Sequence, residues 1–163
     1  MISKNINILL ADDDLADSLL FKAALEELPV SASLSIVYDG EELMEKLTRK
    51  GNILPDVLFL DLNMPRKNGF ASLGEIKRST KLEELPVIIF STASQLETVK
   101  KVFRDAAHYY ICKPTDFSQL KKVIYEALTL VMQENNPLPG KENFEITGDS
   151  IIIPDKNESN SKG

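Results

Sequence analysis

FLDLNMPRKNG, Phe59 to Gly69, runs an apolar strand into a carboxylate, then into Asn-Met-Pro and a polar turn ending in glycine. Taken alone, an aspartate where a buried strand stops is a turn former or the cap of the next helix. It takes on another meaning if the fold brings further acids, a hydroxyl and a cation to the same place. The rest of the chain supplies all three, each directly behind an apolar run. That repetition settles the architecture.

Five segments are rich in Val, Ile and Leu: INILLA (Ile6–Ala11), LSIVY (Leu34–Tyr38), DVLFL (Asp56–Leu60), PVIIF (Pro86–Phe90) and YYIC (Tyr109–Cys112). The first, third and fourth are nearly continuous apolar runs, as expected of strands covered on both faces in a parallel sheet. Helical spacing fills the gaps between them. Ala16, Leu19, Leu20, Ala23, Ala24 and Leu28 mark one stripe, and Phe117, Leu120, Ile124, Ala127, Leu128 and Val131 another. Leu43, Met44 and Leu47, then Phe70, Leu73 and Ile76, then Val99, Val102, Phe103 and Ala106 mark three shorter ones. Ser94 with Glu97, and Asp116 with Gln119, have capping-box spacing, while Asp14 and Asp39 are expected N-caps. Strand and helix thus alternate five times. Right-handed crossovers then require an α/β fold, a (βα)5 doubly wound parallel sheet with helices on both faces, over residues 1–133.

The chain has 163 residues, 43% of them hydrophobic, which is enough for one domain with chain to spare. A net charge of -6 argues against non-specific nucleic-acid binding, which needs a basic surface. No apolar run approaches the ~20 residues of a membrane span. MISKNINILLADDD ends its apolar run in three aspartates, unlike a secretory signal, and the single cysteine, Cys112, excludes an internal disulfide. The expected location is cytoplasmic. Residues 134–163 change character, opening with Asn, Pro and Gly and closing in a polar tail expected to be disordered. Between them, residues 143–154 read as two short extended pieces around a Gly-Asp turn. A hairpin of that size is stable only if it packs on something; otherwise the extension is disordered throughout.

In such a sheet the residues that follow the strands collect along one edge, where ligands bind. Here they are Asp12, Asp13 and Asp14, then Asp61, then Ser91 and Thr92, then Lys113. With strand order 2-1-3-4-5 the first and third strands are neighbours about 4.8 Å apart, so Asp61 faces the acidic cluster. Carboxylates held that close repel one another unless a positive group joins them. Lys113 is one such group, and a hard divalent cation such as Mg2+ suits the all-oxygen ligands as a second. With a hydroxyl and an ammonium alongside, the site is built to receive a phosphoryl group, and a carboxylate can attack phosphorus to give an acyl phosphate.

ILLADDD, FLDLNMPRKNG, IIFSTAS and YYICKP together resemble a response-regulator receiver domain, the phospho-acceptor half of two-component signalling, from Ile6 to about Val131. The resemblance implies a flavodoxin-like fold and makes Asp61 the phospho-acceptor. It makes Asp12 and Asp13 the acidic pair that holds Mg2+, Asp13 more directly, with the backbone carbonyl of Asn63 as a further ligand. Ser91, rather than the adjacent Thr92, takes the hydroxyl switch position, and Tyr110 the aromatic switch position. Lys113 is implied to contact the phosphate, and its bond to Pro114 to be cis. Asp14 is read as a helix cap, Cys112 as a small buried hydrophobe, His108 as a surface residue, and Gly69 as supplying a backbone conformation closed to other residues.

A haloacid-dehalogenase-type phosphatase shares the strand-end aspartate but wants Asp-x-Asp, and Asn63 cannot act as a general acid. A flavodoxin-like cofactor binder would find its phosphate repelled by three aspartates, and no P-loop is present. The remaining alternative is a receiver-shaped module that binds proteins without phosphate. The reading is therefore a single-domain regulator, not an enzyme on external substrates, that acts by binding. Its expected partners are a histidine kinase or phosphotransfer protein and a target, or a second copy of itself. The basic residues Lys100, Lys101, Arg104, Lys121 and Lys122 are read as a solvated helix face. RKNG and the extension also resemble single-domain receivers that partner phytochrome-type histidine kinases, in which the extension contributes to homodimers.

Overall fold

In the computed structural model, which describes residues 4–92, 95–133 and 138–156, each apolar run is a strand and each amphipathic stretch a helix. The order is β1 (Ile6–Ala11), α1 (Leu15–Glu27), β2 (Ala32–Val37), α2 (Gly40–Thr48), β3 (Val57–Leu60), α3 (Gly69–Arg78), β4 (Val87–Ser91), α4 (Leu96–Arg104), β5 (Tyr109–Cys112) and α5 (Phe117–Val131). The strands form one parallel sheet in the order β2-β1-β3-β4-β5, with Leu10 beside Phe59 and Ile88 beside Tyr109. Among the described residues no helix is long and apolar enough to cross a membrane.

Alternation along the strands divides the core in two. Ile8, Leu10, Phe59, Ile88, Phe90 and Ile111 face α1 and α5, while Leu9, Leu58, Leu60, Ile89 and Tyr110 face α2, α3 and α4. The first layer is centred on an aromatic trio. Phe21 meets Phe59 edge-on at 4.9 Å and Phe90 at 5.5 Å between ring centroids. Edge-to-face pairs of this kind add about 0.5–1.5 kcal/mol beyond the area they bury.

Phe21 also corrects the expected stripe of α1. The buried face is Ser18, Phe21, Ala24 and Leu25, continued by Leu28, whereas Leu15, Leu19 and Leu20 are exposed. The stripe expected from spacing, which ran through Ala16, Leu19 and Leu20 and left out Phe21, is therefore displaced: the apolar residues of α1 nearly encircle it, and the bulkiest ring took the core. The caps at Asp14, Asp39 and Asp116 are present, each carboxylate accepting from the backbone N–H three residues on. The expected cap of α4, Ser94, lies outside the described residues; the N-cap is Gln95, which makes no side-chain capping bond.

The extension uses the free edge of β5. Tyr110 donates its N–H to Phe144 O at 3.0 Å and accepts from Ile146 N–H at 2.9 Å, a parallel bridge outside the main sheet. Phe144, 2% exposed, lies between Phe103, at 5.1 Å, and Tyr110, at 6.5 Å. The chain then turns at Gly148, where φ is +78°, the left-handed region glycine enters without strain. Beyond the turn Ile151 and Ile153 pack on the α1–α5 layer, and Lys156 Nζ reaches Glu26 O at 2.8 Å. Among the described residues the two arms of 143–154 do not form a ladder with each other. An unpaired strand edge offers the first arm a full set of backbone partners, which a two-residue turn alone does not. Residues 157–163 of the expected disordered tail lie outside the described set.

Candidate functional site

Because the five strands run parallel, their carboxyl ends meet at one rim, and the ladder continues into the residues that matter there. Asp12 N–H donates to Val37 O at 3.0 Å and Asp61 N–H to Ala11 O at 2.9 Å, so these two acids stand side by side one step past β1 and β3. Across the sheet Lys113 N–H donates to Ser91 O at 2.9 Å, fixing the lysine just past β5. The loop after Asp61 folds back over it, with Gly69 N–H on Leu62 O at 2.9 Å and Asn63 N–H on Asp61 Oδ1 at 3.3 Å. Gly69 is needed for this approach. A Cβ there would stand 2.2 Å from Asp61 O, so its role is close packing of backbone rather than the special backbone conformation expected from sequence.

Burial differs sharply across the acids. Asp12 is fully buried and Asp61 is 5% exposed, while Asp13 is exposed. Oxygens of Asp12, Asp13 and Asp61 lie within 4.8 Å of one another. Lys113, whose side chain is 9% exposed, sends its ammonium into this group, with Nζ 2.7 Å from Asp12 Oδ2 and 3.5 Å from Asp61 Oδ2. A third acid, Asp17 on the first turn of α1, meets the same nitrogen at 2.8 Å. Burial pushes the Asp12 carboxyl up to about 6, against the lowering pull of Lys113 and of the Asp14 N–H. Burial opposes the Lys113 ammonium too, but the Asp12 and Asp17 carboxylates outweigh it and hold its pKa above the ordinary value. The lysine is therefore charged throughout the physiological range.

The three carboxylates fit a divalent cation. All donors are oxygens, as hard cations require, and Asp12 Oδ2 is buried without an aligned hydrogen bond despite its ionic contact with Lys113. Metal and lysine together would balance a cluster that otherwise carries an excess of negative charge.

Ser91 is fully buried at the carboxyl end of β4. Tyr110 pairs with Ile89 and Cys112 with Ser91, so by alternation Ser91 and Tyr110 project to the same face of the sheet. Tyr110 is 2% exposed, and its buried hydroxyl has no hydrogen-bond partner among the described residues. Burial, with Cys112 and Glu145 nearby, pushes that phenol up to about 12.

Three expectations are corrected. Cys112 is exposed, its Sγ 3.9 Å from Thr92 O, because it is the last residue of β5, where the strand runs out at the rim. His108 is buried: its N–H joins Val87 O at 2.8 Å, and its Nδ1 accepts from Val87 N–H at 3.3 Å, drawing the ring into the sheet. Burial, reinforced by Lys77, lowers its pKa to about 4. The Lys113–Pro114 bond is trans, the isomer favoured by about 0.5–1 kcal/mol in X–Pro bonds generally. Of the basic residues, Lys101 pairs with Asp105 at 3.3 Å and Lys121 with Glu27 at 3.2 Å, in keeping with a solvated face.

Sequence reasoning missed Asp17. Its one signal was position: an acid on the first turn of α1 lies at the same rim as Asp12, but it reads first as complementing the helix dipole.

A profile of the response regulator receiver domain matches residues 8–125. The chain is 30% identical over 122 residues to the probable methanogenesis regulatory protein FilR2 of Methanothrix harundinacea, covering 73% of this chain and 79% of that protein. It is 31% identical over 121 residues to the response regulator Rcp1 of Synechocystis sp., covering 72% and 82%. Among solved structures, the phosphorylated cyanobacterial phytochrome response regulator RcpA superimposes with a TM-score of 0.74 at 30% identity, over 84% of this chain and 100% of that one. The Mn2+-bound form of Rcp1 gives a TM-score of 0.71 at 29% identity, over 83% and 99%.

Proposed function

The chain belongs to the response regulator receiver family, and on that premise we propose that Asp61 accepts the phosphoryl group, from a histidine kinase or a phosphotransfer protein, with Mg2+ held by Asp12, Asp13, Asp61 and the backbone carbonyl of Asn63. The observation that carries this reading is the convergence of Asp12, Asp61 and the Lys113 ammonium within a few ångströms at the rim. One neighbour of similar fold is phosphorylated and another carries Mn2+, which supports the same chemistry here.

In the transfer, an Asp61 carboxylate oxygen attacks phosphorus as the phosphorus–nitrogen bond of the donor phosphohistidine breaks. The leaving imidazole nitrogen recovers a proton from solvent, and an acyl phosphate remains. When bound, the metal offsets charge on the transferring oxygens and orients the acceptor carboxylate. Lys113 donates to a phosphoryl oxygen, and the Ser91 hydroxyl, moving toward the new oxygens, donates to another. Charge-assisted bonds of this kind stabilise the phosphorylated arrangement. Water attack on phosphorus later releases inorganic phosphate and restores the carboxylate. Asn63 supplies no acid to speed turnover of external esters, so the chain acts as a signalling module whose product is its own modified state. Tyr110, on the face shared with Ser91, passes the change to the surface made by α4, β5 and the docked extension. We infer a cytoplasmic setting, as for the kinase domains that would charge it.

Borohydride trapping tests the assignment. It reduces an aspartyl phosphate to homoserine, and peptide mass mapping after charging should find the change at position 61. Modification at Asp12 or Asp13 instead would overturn the assignment of the acceptor.

A further inference from the structure

We propose that Asp17 is a positioning residue for Lys113: it holds the ammonium at the rim when Asp12 and Asp61 turn to the metal and the phosphoryl group. The inference rests on the reading that Asp12, Asp13 and Asp61 hold a divalent cation beside the acceptor.

An ammonium has three protons to donate, and Lys113 has three carboxylates around it, at 2.7 Å (Asp12), 2.8 Å (Asp17) and 3.5 Å (Asp61). Two of these acids belong to the group whose oxygens converge within 4.8 Å. Asp17 is the one that does not. A divalent cation in that group and the Lys113 ammonium want the same oxygens, and as like charges they repel at short range. Asp17 is thus the partner Lys113 can keep when the cation arrives. Its place fits that role. The residue is anchored on the first turn of α1 by its own N–H on Asp14 Oδ1 at 3.0 Å, and its side chain is 33% exposed, at the mouth of the site.

Without Asp17, the buried ammonium keeps, of its three carboxylates, only Asp12 and Asp61. Lys113 then settles on the carboxylates that the cation needs and becomes its competitor. Asp17 so divides the labour at the rim, drawing the lysine outward and leaving the inner oxygens to the metal. The same anchor leaves one Lys113 proton directed toward Asp61, where a phosphoryl oxygen would stand.

The test is calorimetric titration of the full-length, unphosphorylated chain with Mg2+. The expected result for Asp17→Asn is a dissociation constant raised about tenfold, within the usual range for coupled neighbours. A simple loss of negative charge would weaken binding as well, so a double-mutant cycle decides. In a Lys113→Met background, Asp17→Asn should change Mg2+ affinity by less than about twofold, because Asp17 acts through the lysine. Should that background fail to fold, Lys113→Gln, which retains amide donors for Asp12, replaces it. An unchanged affinity in Asp17→Asn alone overturns the proposal. So does a tenfold effect that persists without the lysine, which would make Asp17 a distant charge and nothing more. If the wild type binds Mg2+ and Asp61 is phosphorylated while Asp17→Asn behaves as wild type, this inference fails and the assignment of Asp61 stands. If the wild type binds no Mg2+, the metal reading falls and the inference with it.

Discussion

Replacing Phe144 with alanine probes whether the extension is part of the folded unit. The ring is 2% exposed and touches both α4, through Phe103, and the core strand residue Tyr110. A phenylalanine that buries roughly 200 Å² gains about 5 kcal/mol at ~25 cal/mol per Å², and Phe→Ala in a rigid core costs about 3–5 kcal/mol. Here a ceiling applies. The first arm is tied to the sheet by two backbone hydrogen bonds, from Tyr110 and Ile146, so a weakened arm can peel away instead of leaving a cavity. The cost of Phe144→Ala therefore cannot exceed the whole docking free energy of the arm. We expect a loss of about 2–4 kcal/mol in urea unfolding, and truncation after Gln133 should cost at least as much. Trypsin cleavage after Lys141, which tracks the population of the open arm, should accelerate at least ~30-fold in Phe144→Ala, the equivalent of about 2 kcal/mol. A variant within about 0.5 kcal/mol of wild type, cleaved at the wild-type rate, would refute the docking. A truncation milder than the point substitution would refute the ceiling.

Other outcomes follow from single residues. His108 has a folded-state pKa of about 4 against an ordinary 6.5, so it favours folding fully above pH 6.5 and loses that contribution as pH falls toward 4. The gap corresponds to on the order of 3 kcal/mol. In chemical unfolding across this window, His108→Gln should show a flatter stability profile than wild type, and a parallel profile would contradict the role given to burial. Gly69→Ala drives a methyl into Asp61 O and should destabilise the fold by about 3 kcal/mol. It should also slow phosphorylation by displacing the loop that carries Asn63; a variant as stable and as reactive as wild type would show that the loop is not packed as described.

The fold was legible because its signals agreed. Nearly continuous apolar runs named the central strands, and aspartates three residues ahead of a backbone donor marked helix starts at Asp14, Asp39 and Asp116. On α1, where apolar residues lie nearly all round, spacing pointed to the face of Ala16, Leu19 and Leu20, whereas the volume of Phe21 set the buried one. The inner rim was legible from strand ends: Asp12, Asp61 and Lys113 follow three different strands and meet in space. Asp17 was not, because it reaches the site from a helix, and nothing in a linear reading says which face of α1 looks over the sheet edge. His108 misled for a related reason. It lies outside the apolar run of β5, yet its backbone and ring both bond to Val87, a partner distant in sequence. The hold of the extension on β5 likewise depends on an edge that only the assembled sheet exposes.

Intact-mass spectrometry after incubation with acetyl phosphate shows whether Asp61 takes up a phosphoryl group. It should be run with and without Mg2+, on the wild type and on Asp61→Asn. The absence of tryptophan rules out tryptophan quenching as a readout of the site, whereas mass counts the phosphoryl group itself. One added group is expected on the wild type with Mg2+, none without the metal, and none on Asp61→Asn. Equal uptake by Asp61→Asn, or no uptake by the wild type from acetyl phosphate or from a phosphorylated histidine kinase, would contradict the assignment of Asp61 as acceptor.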